Sequence, residues 1–428
     1  MRGRYSRPRV ALICPTNWDR LQLPRIREKL SRKIELIPFG PDAEADPGSF
    51  DAGQFLDQAI GELTRMRVSG VVSSSDYPGC LVAAVVAERM GLPGPPPEAL
   101  LRATHKYVAR EIMAVSVPEA TPGFHVVDPA TVDATATTLS YPAFVKPVKS
   151  WFSQLAQRVD SAAELIDYAR SPEVVRHLRH FVRPLNQILA GYPEFTLDGA
   201  HVLVEDLLVG SQVTLEGYVF DGKMTVLSIT DSEMYPGTES FSRFVMPSVV
   251  TAQQADAMAR LSERVVRGLG LSHGLFNIEF IYNPADGSCF IIEINPRMCG
   301  QFADMTEQIT GVNTYEVLFA LGLGDQPPPV CGSEVETVAA SYPLRRFADG
   351  RVAAAPSETD ISRLRRSSPA TLISVYYEAG DLLSSRPKHF DGASYRYACV
   401  NLAAADREKL DPLVREMTRL LGVVITEP

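Results

Sequence analysis

The sequence predicts a mixed architecture: a doubly wound α/β domain at the N-terminus, a larger α+β unit in the middle and a small α+β domain at the C-terminus. Three observations predict it. Short apolar runs alternate with a helical pattern ahead of Gly94, two proline-rich breaks divide the chain, and the segments beyond the first break read as strands joined by turns. With 428 residues the chain has room for several cores. Apolar residues at 45% and charged residues at 22% match soluble globular proteins and argue against global disorder.

Residues 9–14 (RVALIC) form an apolar run ended by Pro15, and residues 69–74 form a second, both in keeping with buried parallel strands. Residues 78–90 place Leu81, Val82, Val85, Val86 and Arg89 at helical spacing and stop at Gly91. Gly94-Pro95-Pro96-Pro97 cannot continue a helix, so the first domain is assigned to residues 1–97. Strand-like runs follow at 143–148, 202–208 and 213–220, the last returning through Asp221-Gly222-Lys223 into 224–229. Between them, residues 161–190 read as helix interrupted by Pro172 and Pro184. His177 and His180 share a face there, but Arg176, Arg179 and Arg183 around them favour a solvated basic surface over a metal site. Gln326-Pro327-Pro328-Pro329 marks the second break. Beyond it, 351–355, 372–377 and 395–402 look like strands of a smaller antiparallel unit, and 405–421 like a closing helix. This divides the chain into 1–97, 98–330 and 331–428.

Acidic side chains outnumber basic ones 51 to 42, a formal charge of -9 that disfavours nucleic acid and anionic lipid as partners. The basic cluster Arg363, Arg365, Arg366 beside Pro369 reads as a solvated loop or helix end. Cys14, Cys80, Cys289, Cys299, Cys331 and Cys399 form no CxxC pair and read as reduced thiols of a cytoplasmic protein. Arg2, Arg4, Arg7 and Arg9 precede an apolar stretch too short for a signal peptide, and no run is long enough for a membrane span.

The chemistry concentrates in one hairpin. Phe276-Asn277-Ile278-Glu279-Phe280-Ile281-Tyr282 is one strand, Asn283-Pro284-Ala285-Asp286-Gly287-Ser288 is turn material, and residues 289–295 are the return strand. A register centred on Asp286 sets Glu279 opposite Glu293 and Asn277 opposite Asn295, all on one face. Two facing carboxylates repel by roughly 1 kcal/mol in bulk water and roughly 3 kcal/mol at a protein's effective dielectric, at about 5 Å. A hard divalent cation would resolve that conflict, and an all-oxygen set suits Mg²⁺ or Mn²⁺. A one-residue slip would instead send one glutamate to the opposite face. Pro296 then stops the pairing, and Arg297 stands where it can reach a phosphoryl group.

Taken together, Phe276-Asn277-Ile278-Glu279-Phe280 and Ile291-Ile292-Glu293-Ile294-Asn295-Pro296-Arg297 resemble the metal-binding signature of the ATP-grasp superfamily. The likeness extends over residues 104–324 and is closest to the L-amino acid ligases, a carboxylate-amine ligase group. It implies an ATP-grasp fold with a lid at about 140–205, small-molecule carboxylate and amine substrates, ATP with Mg²⁺ or Mn²⁺, and a homodimer. Glu279, Glu293 and Asn295 would hold the metal, and Lys106 and Lys146 the phosphates, with Lys146 and Arg297 catalytic. Glu205, Asp206 and Leu208 would lie along the adenine, Gln212 at the ribose, and Glu216 near nucleotide and metal.

Two positions depart from the pattern. The loop after Lys146, Val148-Lys149-Ser150-Trp151-Phe152-Ser153-Gln154, contains no glycine, so either Lys149, Ser150 and Ser153 would serve the phosphates instead or the lid would close differently. Gln212 replaces the glutamate usual at the ribose. Arg243, in a loop spanning 231–244, either holds a substrate carboxylate or is a surface arginine, and Gly300 and Gln301, just past Arg297, either border the acceptor substrate or start the next helix. The implied activity is an ADP-forming ligase. A biotin-carboxylase-like carboxylation and a nucleotide-binding protein without turnover are the alternatives, the first weakened because no biotin-carrier segment is present.

Overall fold

The computed structural model describes residues 7–428 apart from 31, 152, 331–336 and 369, so that Arg2, Arg4, Phe152, Cys331 and Pro369 lie outside the described residues. The N-terminal unit is a three-stranded parallel sheet in which β1 (Arg9–Ile13) lies between β2 (Glu35–Phe39) and β3 (Gly70–Val72). Alternate residues of β1 serve different cores. Ala11 and Ile13 pack with Phe55, Leu63 and Val82, whereas Val10 and Leu12 pack with Leu318, Phe319 and Leu321. Both faces are covered, which is why the run is continuously apolar. β2 escapes the sequence reading because Pro38 interrupts it; as an edge strand it tolerates the missing donor.

The helix that covers the second face, Thr314–Leu323, belongs to the middle unit. It sits so close to β3 that a Cβ at Gly70 would meet the Gly322 carbonyl at 2.4 Å. Glycine is required there by close approach, and it fuses the first unit to the second.

The segment expected as a lid, about 140–205, supplies β5 (Ala143–Pro147), β6 (Gln157–Val159) and β7 (Val202–Asp206) to a four-stranded sheet that β4 (Phe124–Val127) completes, in the order β4-β7-β5-β6. Pro172 and Pro184 each open a new helix, Pro172–His180 and Arg183–Leu189, where a missing N–H costs nothing. His177 is not on a solvated face: its Nε2 is 2.8 Å from the Lys149 carbonyl and its ring stacks on Phe181.

A nine-stranded sheet forms the centre. It contains β8 (Ser211–Phe220), β9 (Lys223–Met234), β10 (Phe241–Met246), β11 (Gly274–Tyr282) and β12 (Cys289–Asn295). Of the later strands β13 (Val338–Arg346), β14 (Arg351–Ala354), β15 (Leu372–Val375), β16 (Phe390–Asp391), β17 (Ser394–Ala404) and β18 (Val424–Thr426), only β14 and β18 pair apart from it. The order is β12-β11-β8-β9-β10-β13-β17-β15, with β16 on β17.

Two expectations are corrected here. The strands beyond 337 are antiparallel but do not make a separate unit: Val245 pairs with Ala340, so they continue the central sheet and cover what would otherwise be a bare β10 edge. The presumed loop over 231–244 is a hairpin, with Ser232 opposite Phe244 and its reversal at Gly237. The closing helix is shorter than expected, Leu410–Leu421. No helix among the described residues is long and apolar enough to cross a membrane, and Cys14, Cys80, Cys289, Cys299 and Cys399 are free.

Candidate active site

The hairpin of β11 and β12 sets Glu279 opposite Glu293 and Asn277 opposite Asn295. From Phe280 onward the register shifts by one, Phe280 facing Ile291, so Ile292 is bulged out. The bulge decides the site. The register at the turn, carried through unbroken, would be the slipped one that separates the two glutamates. The carbonyl that the bulge frees is not wasted either: that of Ile292 accepts from Lys146 Nζ at 3.2 Å and from Arg110 Nη2 at 2.8 Å.

Glu279 Oε1 accepts from Asn295 Nδ2 at 3.1 Å and Oε2 from Gln212 Nε2 at 2.8 Å. Burial, then the facing Glu293 carboxylate, push its pKa up. Glu293 goes the other way. Burial alone would raise it, but Lys106, with Nζ 2.8 Å away, and Lys146 outweigh burial and hold it ionised. Lys106 opens the helix Lys106–Ser116 behind the cap His105, is buried, and also donates to the Ser150 carbonyl at 3.1 Å.

Lys146, on β5, lies 2.6 Å from Glu205 on β7, and Arg110 holds the same carboxylate. Burial opposes ionisation of Glu205, but Arg110 and Lys146 bring it down to about 2. Lys149 and Arg297 meet on Asp76, at 3.5 Å and 2.5 Å. Glu216 is fully buried on the face that bears Asn277 and takes the Cys299 N–H at 2.6 Å.

The cations and acids named in the sequence therefore converge. Ser150 and Ser153 lie on the lid loop, Ser153 lining the cavity of the acid pair. Leu208 sits in the 207–210 connection between the lid sheet and the central sheet. Others stand apart. Asp206 is exposed and accepts the Gly123 N–H at 2.8 Å, which ties β4 to β7. Arg243, one residue from the inward Phe244, faces away and bridges Glu233 and Asp411 at 2.7 Å and 2.8 Å, so the substrate role considered for it is corrected. Gly300 and Gln301 border the site; the Gln301 amide donates to Ser341 Oγ at 2.8 Å.

Two cavities meet here. One of about 120 Å³ holds the acid pair, and a larger one of about 530 Å³ lies between the N-terminal unit and the C-terminal strands. They share Asp76, Arg297, Cys299, Gln301 and Arg396. The sequence reading missed Asp76, Arg110 and Arg396. Asp76 was findable: it follows Ser73-Ser74-Ser75 at the carboxyl end of a parallel strand, where α/β ligand sites lie. Arg110 stands four residues beyond Lys106, on the same helical face. Arg396 carried no local signal.

The donor set fits a hard cation. Among the described residues no group of three or more His, Cys, Asp or Glu is placed to hold a metal, but Mg²⁺ normally takes one or two carboxylates and completes its shell with phosphate oxygens and water. Glu279, Glu293 and Asn295 supply oxygens only, and a cation held there would offset both the burial of the Glu279 carboxylate and its repulsion by Glu293, the two causes that raise it.

Fold and site thus define a protein with an ATP-grasp domain. Residues 139–306 match that domain. Among relatives, the uncharacterized protein y4rH of Sinorhizobium fredii is 27% identical over 251 residues, covering 57% of this chain and 47% of that one. The ATP-grasp enzyme fsqD of Aspergillus fumigatus is 24% identical over 320 residues, 67% of this chain and 52% of that one. The chain thus spans about half the length of these curated relatives. Among solved structures, an L-amino acid ligase from Bacillus licheniformis aligns with a TM-score of 0.74 at 19% identity, over 98% of this chain and 99% of that one. The chain shares the fold of that structure along essentially its whole length.

Proposed function

We propose that this protein is an ADP-forming carboxylate-amine ligase acting on a small acid, an amino acid or a related compound. The observation that carries the proposal is the opposed, half-buried Glu279–Glu293 pair ringed by Lys106, Lys146 and Arg297, with a cavity of about 530 Å³ opening beyond Arg297. A phosphate-binding centre joined to a second, larger cavity is what a reaction between a nucleotide and two further small molecules needs.

In this reading Lys106 and Lys146 hold phosphate oxygens of ATP, and Glu279, Glu293 and Asn295 hold the divalent ion. Mg²⁺ or Mn²⁺ would neutralise charge on the transferring phosphoryl group. A substrate carboxylate oxygen attacks the γ-phosphorus as the bond to ADP breaks, and Arg297 stabilises the negative charge on the phosphoryl oxygens. The amine then attacks the acyl carbon, phosphate leaves, and the amine loses its proton. Gly300 and Gln301 border the acyl group. The partners are small molecules, and the homodimer implied by the resemblance belongs to the same reading.

ADP and phosphate release with pooled amino acids, with and without Mg²⁺, followed by mass analysis of the product, tests the proposal. An adduct whose mass is that of the two substrates less water is expected. If the protein binds ATP and no pairing of acid and amine releases ADP, the ligase reading falls. Glu293→Gln should lower metal-dependent turnover by about a hundredfold or more with an unchanged circular dichroism spectrum; undiminished turnover would remove the metal assignment.

A further inference from the structure

Asp76 lies between β3 and the helix Gly79–Arg89, in a unit that contributes no residue to the acid pair, yet it reaches both cavities. Its two oxygens divide two cations from different parts of the fold. Oδ1 is 3.5 Å from Lys149 Nζ of the lid loop, and Oδ2 is 2.5 Å from Arg297 Nη2 beyond β12. All three side chains are largely buried, at 17% exposure for Asp76, 4% for Lys149 and 15% for Arg297. Lys149 also stands 4.8 Å above the ring of Tyr77. The Asp76 N–H donates to Glu44 Oε1 at 2.8 Å, which fixes the position of the carboxylate.

Two cations this buried repel unless an anion lies between them. An oxyanion drawing one charged donor to each oxygen makes the same demand on the protein as a phosphoryl group does. We propose that Asp76 is an internal counter-anion and positioning residue: it keeps Arg297 and Lys149 converged at the junction of the two cavities, and a phosphoryl oxygen of a nucleotide competes with it for both. The inference rests on the nucleotide-binding half of the proposed function and not on the ligase chemistry. It also gives the glycine-free loop a use, since Lys149 brings a side-chain cation where a backbone would otherwise have to approach.

Calorimetric titration of Asp76→Asn with MgATP, MgADP and AMP tests it. Removing one negative charge beside the two cations should tighten MgATP by about tenfold, MgADP by less and AMP not at all. A steeper loss of MgATP affinity with salt should accompany the gain. Asp76→Glu, which keeps the charge, should retain the wild-type order of affinities. Lys149→Met should weaken MgATP while leaving AMP unchanged, and it serves as the deciding variant if Asp76→Asn does not fold. A merely structural aspartate would weaken all three nucleotides alike. The inference is overturned if a folded Asp76→Asn binds MgATP no tighter than wild type, if AMP gains as much as MgATP, or if Lys149→Met leaves MgATP binding intact. A wild-type protein that binds no nucleotide overturns this inference together with the proposed function. Nucleotide binding with the expected phosphate dependence, but no ADP release from any substrate pair, sinks the ligase reading alone.

Discussion

Glu216 is fully buried, with one carboxylate oxygen on the Cys299 N–H and the other without a partner among the described residues. Burial raises it to about 7, against the pull of that N–H and of Arg297. A raised carboxylate contributes stability only while the folded form keeps its proton: fully below the unfolded value of about 4.5, and lost as pH rises through about 7. Glu216→Gln in the nucleotide-free protein should therefore leave stability unchanged below about pH 4.5 and raise it by up to about 3 kcal/mol above pH 7. Urea titrations across that range give the answer, and a gain of equal size at every pH would show that packing, not ionisation, is responsible. Single residues also mark how far the sequence could be read. Glu279, Glu293, Asn295 and Arg297 were legible because strand alternation and turn chemistry are local. The bulge at Ile292 was not, because the cations that claim its carbonyl, Lys146 and Arg110, arrive from other elements. Arg243 misled for the complementary reason: its partners Glu233 and Asp411 lie 10 and 168 residues away.

At the scale of elements, the loop after Lys146 shows what replaces glycine. Its backbone is tied down: the Val148 N–H donates to the His201 carbonyl at 2.9 Å, and the Val148 carbonyl accepts from the Lys106 N–H at 3.2 Å. Trp151 is 6% exposed and meets Phe181 edge-on at 5.1 Å and Tyr77 at 6.5 Å. The lid loop is thereby fastened to the N-terminal unit through an aromatic cluster, where a glycine-rich segment would have relied on backbone freedom. Trp151→Ala should cost about 3 kcal/mol and speed hydrogen exchange in the lid loop well beyond the change in the central sheet. Unchanged protection there would mean that the loop is held by its hydrogen bonds alone. Strands with long apolar or alternating runs, β1, β5, β7, β8, β11 and β12, were legible one by one. β2 and β6 were not, because proline breaks the pattern of one and the other has only 3 residues.

At the scale of the molecule, the proline-rich breaks divide the sequence more cleanly than they divide the fold. One hydrophobic cluster runs from Ala11 through Leu100 to Ile294, and the central sheet passes without interruption into the C-terminal strands. A polar junction joins the same three parts. Asp304 Oδ1 accepts from Gln22 of the first unit at 2.9 Å and from Asn401 of β17 at 2.8 Å, with all three side chains buried. The walls of the larger cavity come from the same three parts. Chains of this length ordinarily unfold domain by domain, but shared cores make partial unfolding expensive, so a single cooperative transition is expected. Asp304→Ala takes this acceptor from the Gln22 amide and leaves the Asn401 amide only the Gln301 carbonyl, and should cost about 3 kcal/mol, whereas Asp304→Asn keeps an oxygen and should cost less. In urea the alanine variant should unfold at a lower midpoint with an unchanged m-value. A separate early transition with a smaller m-value would show that the units unfold independently in spite of the shared apolar core.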